Sequence, residues 1–352
     1  MPRLDLTWAD LRQELGEWER SVSHGMAALH THPDPNPLPG GSARTLVLCC
    51  GKARLFRYTP LRDQVQSVPT LIVYGLVNRP SIADLQPDRS LVRALLTQGV
   101  DVHLIEWEDP TVLDRDRGLH DYINRDLADC VAWLAAAGPI NVMGICQGGT
   151  FALCYAALNP ARVRNLVLTV TPVDFHTPDD LLSHLLRHVD SNRLGEQNLS
   201  GDALNSLFLT LKPYRLRHQK YVDLVDQMAD PAALTTFLRM EKWIFDSPDL
   251  AALALLEFAR DFYRDNALCE GRLRVGGHGV ALDQITMPVL NIYARADHLV
   301  PPASAQALAG KISTTDYQEL AVPGGHIGIY VGAARTLVAR TIAQWLERRS
   351  AA

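Results

Sequence analysis

Residues 143–149 read M-G-I-C-Q-G-G, set between a short apolar run, Pro139–Met143, and a helix-forming stretch, Cys146–Leu158. A strand that breaks sharply into a helix at this heptapeptide puts Cys146 at the tip of the turn, the place an attacking serine takes in a G-x-S-x-G elbow. The positions two before and two after the tip must carry almost no side chain, and Gly144 and Gly148 meet that demand. The amide of Gln147 opens the helix and points where negative charge develops on an attacked carbonyl. A thiol is well placed at a helix start, because the thiolate is the nucleophilic form. The heptapeptide thus predicts a cysteine nucleophile with one oxyanion donor beside it.

Outward from this turn, strands and helices alternate. Short β-rich runs, T-L-V-L-C-C, A-R-L-F-R-Y and P-T-L-I-V-Y-G-L, follow Gly41. Then come a strand ending at Trp107, a helix over His120–Ala137, the elbow, and a strand over Asn165–Val170. Two further strands, Pro288–Tyr293 and Tyr317–Ala321, precede a last helix at Ala333–Arg348. This alternation calls for a mostly parallel central sheet covered on both faces, and with the elbow it predicts an α/β-hydrolase fold. Residues 174–283 show helical periodicity and almost no strand signal, with candidates at Leu181–His188, Ala203–Leu211, Val222–Met228, Leu234–Phe245 and Leu250–Tyr263. The expected organisation is a core over 41–173 and 284–352, with a helical cap inserted over 174–283. Residues 1–40 form a lead-in: an amphipathic helix carrying Leu4, Trp8, Leu11, Leu15 and Trp18, then the proline-rich loop H-P-D-P-N-P-L-P-G-G.

In this fold the acid and the histidine follow the nucleophile in chain order, each in a loop after a late strand. The run A-R-A-D-H-L-V-P-P places Asp297 at the end of the strand through Tyr293, and P-G-G-H-I-G places His326 ahead of the last helix. His326 is the expected base for the Cys146 thiol, with Asp297 orienting the imidazole or serving as a second base. His298, next to Asp297, should point elsewhere and takes a supporting role. A second oxyanion donor is expected in the loop Y-G-L-V-N-R-P at 74–80, at the amide of Val77 with Leu76 and Asn78 as neighbouring alternatives. Asn78 and Arg79 either fix that loop or meet an anionic ligand.

The 352 residues are 47% hydrophobic and 21% charged, enough to bury a sizeable core. A net charge of −5 gives no reason to expect nucleic acid. The six cysteines form no C-x-x-C pair, so neither a zinc site nor a disulfide framework is indicated. His184 and His188 have an i, i+4 spacing without a companion ligand, and no metal is expected there. Met1–Asp10 carries charges and lacks an apolar segment, and no run approaches the length of a transmembrane span. A reducing cytoplasm is the expected setting, one that suits a thiol nucleophile.

With these residues in view, the chain resembles the catalytic subunit of polyhydroxyalkanoate synthases, most of all the short two-subunit type, class III. The box G-I-C-Q-G-G looks like that family's lipase-like box with cysteine for serine. The similarity runs through L-I-V-Y-G-L-V-N-R-P, D-L-Q-P-D-R-S, L-V-L-T-V-T-P-V-D-F, F-L-R-M-E-K-W-I-F-D-S-P-D, D-H-L-V-P-P and P-G-G-H-I-G-I-Y, from about Thr70 onward. It implies an acyltransferase that takes an (R)-3-hydroxyacyl-CoA, typically the 3-hydroxybutyryl thioester, onto Cys146 and lets the hydroxyl of one unit open the thioester of another. CoA is then part of the substrate, and no cofactor is implied. The resemblance attributes activation of that hydroxyl to the acid, Asp297. It also implies a second, non-catalytic subunit, a homodimer or larger assembly, and work at the surface of cytoplasmic polyester granules. Two rivals share the motifs: an esterase, thioesterase or polyester depolymerase of the same fold, and a catalytically silent granule-binding protein.

Overall fold

The computed structural model describes residues 41–187, 197–211 and 230–350, together with Ala9, Arg12, Gln13, Gly16, Glu17, Arg20 and Leu224. These fall into two units, one drawn from Met1–Leu38 and Leu204–Phe245, the other from Pro39–Ala203 and Asp246–Ala352. The division lies inside the 174–283 segment, so 174–203 and 246–283 belong with the sheet.

In the smaller unit, the described positions Ala9, Arg12, Gln13, Gly16, Glu17 and Arg20 are helical, and all except Gly16 are exposed. They are the polar complement of the apolar stripe read from the sequence; the stripe residues Trp8, Leu11, Leu15 and Trp18 lie outside the described residues, as does most of Val222–Met228. The helix Pro231–Phe245 buries Leu234 against Leu224, with Phe237 and Leu238 packed on the pair at helical spacing.

The larger unit is built on an eight-stranded sheet. Its strands are β1 (Arg44–Cys50), β2 (Ala53–Tyr58), β3 (Thr70–Val73), β4 (Val102–Trp107), β5 (Ile140–Ile145), β6 (Val163–Thr169), β7 (Val289–Ala294) and β8 (Tyr317–Val322). They lie in the order β1-β2-β4-β3-β5-β6-β7-β8. The two pairings at the β1 edge are antiparallel and the other five are parallel. Every residue of β3, β5 and β7 is buried, as expected for parallel strands covered on both faces, and this is why they read as mostly apolar runs, broken only by the buried Thr70, Asn141 and Asn291. The edge strand β8 is largely half-buried to exposed, with Gln318 and Glu319 facing solvent and only Val322 buried.

Register brings the carboxyl ends into one row. Val73 pairs with Gly144, Ile145 with Thr169, Thr169 with Ile292, and Ala294 with Val322. The loops leaving β3, β5, β7 and β8 therefore open on the same edge of the sheet, where ligands of parallel α/β sheets bind. The helical run expected over His120–Ala137 is present as a π-helical segment, Asp121–Leu127, continuing into Ala128–Leu134 and a closing 3-10 turn. Leu250–Tyr263 likewise becomes Ala252–Phe258 followed by a π-helical Ala259–Arg264. Besides its helices, the 174–283 segment carries one short strand pair among the described residues, Arg274–Val275 with His278–Gly279, joined through Gly276–Gly277. A two-residue Gly-Gly link is a hairpin signal, and the strands it joins are only two residues long.

Candidate active site

β5 ends at Ile145 and the helix Gln147–Leu158 begins one residue later, so Cys146 bridges two elements whose directions differ sharply. Its backbone sits at φ 51° and ψ −122°, a strained conformation for a residue with a side chain. The neighbours hold it there. The Cys146 amide donates to the Thr169 carbonyl at 2.9 Å, and its carbonyl accepts from Gly149 at 2.8 Å. A Cβ at Gly144 would collide with the Gly149 backbone, and one at Gly148 with the Val73 carbonyl and Tyr74. Both glycines are thus required by close approach of backbone, as the spacing in the heptapeptide predicted.

Asp297 and His326 arrive from the next two strand ends. The loop after β7 is tied to the loop after β8 by the Ala296 amide, which donates to the Gly324 carbonyl at 2.9 Å. Across this link His326 Nδ1 donates to Asp297 Oδ2 at 2.7 Å. The Asp297 side chain is fully buried, and its Oδ1 accepts the amides of Leu299 at 2.9 Å and Val300 at 3.0 Å. The His326 side chain is 12% exposed and is also in hydrogen-bonding reach of the Cys146 side chain. Burial is the largest single influence on the imidazole and works to lower its pKa. The charges of Asp297 and Cys146, with hydrogen bonds to both, outweigh it and raise the ring well above the usual histidine range. The structure therefore brings the three residues read from the sequence into one chain of contacts, Cys146–His326–Asp297. His298 is half-buried in the same turn, and it is Asp297 that faces His326.

On the opposite side of Cys146 lies the loop after β3. The Gln147 side chain reaches across, its Oε1 accepting the Leu76 amide at 2.7 Å. That bond commits the Leu76 amide, leaving Val77 and Asn78 as the donors from the expected set. Asn78 adopts φ 58°, and its Oδ1 accepts from Ser247 Oγ at 2.5 Å. Arg79 forms a two-pronged pair with Asp109 at 2.6 and 2.8 Å and also contacts Asp246 at 3.4 Å. Of the two roles open to Asn78 and Arg79, these contacts fix the loop.

Sequence reasoning missed three tyrosines. Tyr330 is buried four residues after His326, its hydroxyl 3.0 Å from Thr169 Oγ1, which in turn donates to the Gly144 carbonyl at 3.2 Å. Burial, with the charge of Cys146 adding to it, pushes the hydroxyls of Tyr330, Tyr74 and Tyr263 above the usual phenol range, so all three stay protonated. Tyr263 packs edge-on against Phe175 and Phe258, at 5.1 and 5.7 Å between centroids, and Phe258 meets Phe151 of the elbow helix at 6.2 Å. The three hydroxyls are thus neutral and near enough to feel the charge of Cys146. The i, i+4 step in H-I-G-I-Y was the one available signal for Tyr330.

Among the described residues no group of three His, Cys, Asp or Glu could hold a metal ion, and no helix is long and apolar enough to cross a membrane. His184 Nε2 donates to the Pro178 carbonyl at 3.1 Å, while His188 lies outside the described residues.

A cysteine elbow on a central parallel strand, with carboxylate and histidine after the last two strands, defines the α/β-hydrolase class, and residues 68–333 match the family model described as alpha/beta hydrolase fold. The solved monoacylglycerol lipase of Paleococcus ferrophilus superposes with a TM-score of 0.52, covering 84% of this chain and 99% of that one at 17% identity, a likeness of fold. Within this class, the chain is 47% identical to the poly(3-hydroxyalkanoate) polymerase subunit PhaC of Allochromatium vinosum, over 98% of this chain and 99% of the relative. It is 44% identical to the protein of the same name from Thiocystis violacea, over 99% of this chain and all of that one. The chain belongs to the poly(3-hydroxyalkanoate) polymerase family of acyltransferases.

Proposed function

We propose that this chain is the catalytic subunit of a two-subunit, class III synthase that polymerises (R)-3-hydroxyacyl-CoA, with 3-hydroxybutyryl-CoA as the typical substrate, through an acyl-Cys146 intermediate. The observation that carries the reading is the Cys146–His326–Asp297 chain of contacts in a protein nearly half identical to named polymerase subunits. His326 takes the thiol proton, and the Cys146 sulfur attacks the thioester carbonyl. The carbonyl electrons move onto oxygen, which the Gln147 amide meets at the helix start, with Val77 as the second donor. Collapse expels the CoA sulfur, which takes the proton from His326. The product on Cys146 is a thioester of similar energy to the one consumed, so the exchange runs close to balance.

The second half repeats the chemistry with a hydroxyl in place of a thiol. The 3-hydroxyl of another acyl unit loses its proton to His326 and attacks the Cys146 thioester, giving an ester and freeing the thiol. The oxygens of Asp297 are occupied by His326 and two amides, which supports a role for Asp297 through the imidazole and not on the hydroxyl directly. CoA enters as part of the substrate, and every step is acyl transfer without a cofactor. The names of the Allochromatium vinosum and Thiocystis violacea relatives call both of them a subunit, which supports a second, non-catalytic partner; a homodimer or larger assembly at a polyester granule in the cytoplasm completes the proposal.

The test is to co-express the chain with candidate second subunits and supply (R)-3-hydroxybutyryl-CoA. CoA release with polymer, absent when Cys146 is replaced, is the expected outcome. CoA release with free 3-hydroxybutyrate and no polymer would make the chain a thioesterase instead.

A further inference from the structure

Outside the Cys146–His326–Asp297 set, two other cysteines meet. Cys50, the last residue of β1, places its Sγ 3.6 Å from the Sγ of Cys130 in the helix Ala128–Leu134, and both are free thiols. The approach is built into the backbone on both sides. After Cys50 the chain turns at Gly51, φ 52°, where a Cβ would collide with the Asp126 carboxylate. The Lys52 amide donates to Asp126 Oδ2 at 2.9 Å, the Arg117 guanidinium donates to the same oxygen, and the Cys50 thiol lies 3.6 Å from the Asp126 carbonyl. Asp126 and Cys130 are one helical turn apart. The turn that carries Cys50 is thus fastened to the helical run that carries Cys130, and the two sulfurs are held at van der Waals contact.

We propose that Cys50 and Cys130 form a reversible disulfide when the protein meets a hydroperoxide. Cys50 is half-buried and Cys130 fully buried, so the oxidant reaches Cys50 first. In the contact between the two thiols either sulfur can donate; with the Cys130 S–H donating, Cys50 is held below the usual cysteine range, against burial and the charges of Asp129 and Asp126, while the same contact and burial push Cys130 up. In the first step the Cys50 thiolate attacks one peroxide oxygen: an S–O bond forms, the O–O bond breaks, and hydroxide leaves. In the second the Cys130 sulfur displaces the hydroxyl of the sulfenic acid: the S–S bond forms, the S–O bond breaks, and water leaves with the proton of Cys130. Peroxide takes two electrons and the protein loses two hydrogens. Closing the gap to bonding distance, about 2.0 Å, asks for a sulfur movement of roughly 1.5 Å. The bond would join the edge strand β1 to the helix beneath it.

The experiment uses the full chain with Cys146→Ala, so that the nucleophile does not compete. After dilute hydrogen peroxide, the expected protein has two fewer titratable thiols and a mass lower by two hydrogens, both restored by dithiothreitol. A non-reducing digest should yield the linked Cys50 and Cys130 peptides, and Cys49→Ser should change nothing. Cys130→Ser should stop at a sulfenic acid on Cys50 that dimedone traps, and Cys50→Ser should leave Cys130 unmodified. Should either serine variant fail to fold, the digest of the parent decides by itself. Unchanged thiols at peroxide levels that oxidise free cysteine, or a linkage through the exposed Cys49, would overturn the proposal.

Discussion

Asp297 gives one carboxylate oxygen to His326 Nδ1 at 2.7 Å and holds the other against the amides of Leu299 and Val300, with its side chain fully buried. A carboxylate so enclosed acts on the imidazole it touches. Asp297→Asn is therefore expected to slow acylation of Cys146 and elongation of the chain by the same factor, on the order of 10³-fold or more. Rapid-quench measurement of the first CoA released, compared with steady-state polymer formation, separates the two steps. Acylation near the wild-type rate with elongation abolished would place the carboxylate on the substrate hydroxyl.

The proton on His326 has a signed consequence for stability. The folded pKa is raised above the ordinary value, so the native state binds this proton more tightly than the unfolded chain. The resulting stabilisation is complete below about pH 6.5 and is lost as pH rises through the native value. The urea midpoint of the wild type should exceed that of His326→Gln most at the acid end of this range, with the gap closing in alkali. NMR titration of the imidazole should show its pKa falling in Cys146→Ala and in Asp297→Asn, since each removes a charge that raises it. A gap that widens with pH would contradict the assignment.

Gln147 links the nucleophile's helix to the loop after β3 through the Leu76 amide. Gln147→Met keeps the length and removes the acceptor, leaving a buried amide unpaired at a cost of about 1–3 kcal/mol. The expected result is a drop in kcat of roughly ten-fold or more with KM little changed, because the loop carrying Val77 is displaced from the oxyanion. Gln147→Glu retains an acceptor and should recover most of the rate. Equal rates for the Met and Glu variants would deny the link a part in catalysis.

Much of this was legible in the residues, for a physical reason. Parallel strands buried on both faces leave mostly apolar runs, and the elbow needs glycine where Gly144 and Gly148 stand, so the sheet and Cys146 could be read directly. Asp297 and His326 followed from the order of strands. What escaped depends on side chains meeting across the fold. Gln147 was read for its amide, whereas its side chain makes the bond to Leu76; Tyr74, Tyr263 and Tyr330 come from three distant segments and carry no shared pattern. The Gly276–Gly277 hairpin had a local signal, but its strands are too short to show an alternating pattern. The division of units at Leu204 and Phe245 had none, since helical candidates lie on both sides of each position and nothing local says which body they pack on.

The central claim is that Cys146 carries the acyl chain. Intact-mass analysis of the enzyme quenched during turnover of (R)-3-hydroxybutyryl-CoA tests it most directly. The account predicts adducts spaced by one hydroxybutyryl unit, located by peptide mapping on Cys146, with CoA release lost in Cys146→Ala. Sustained CoA release by a folded Cys146→Ala protein, or an acyl adduct mapped to another residue, would contradict it.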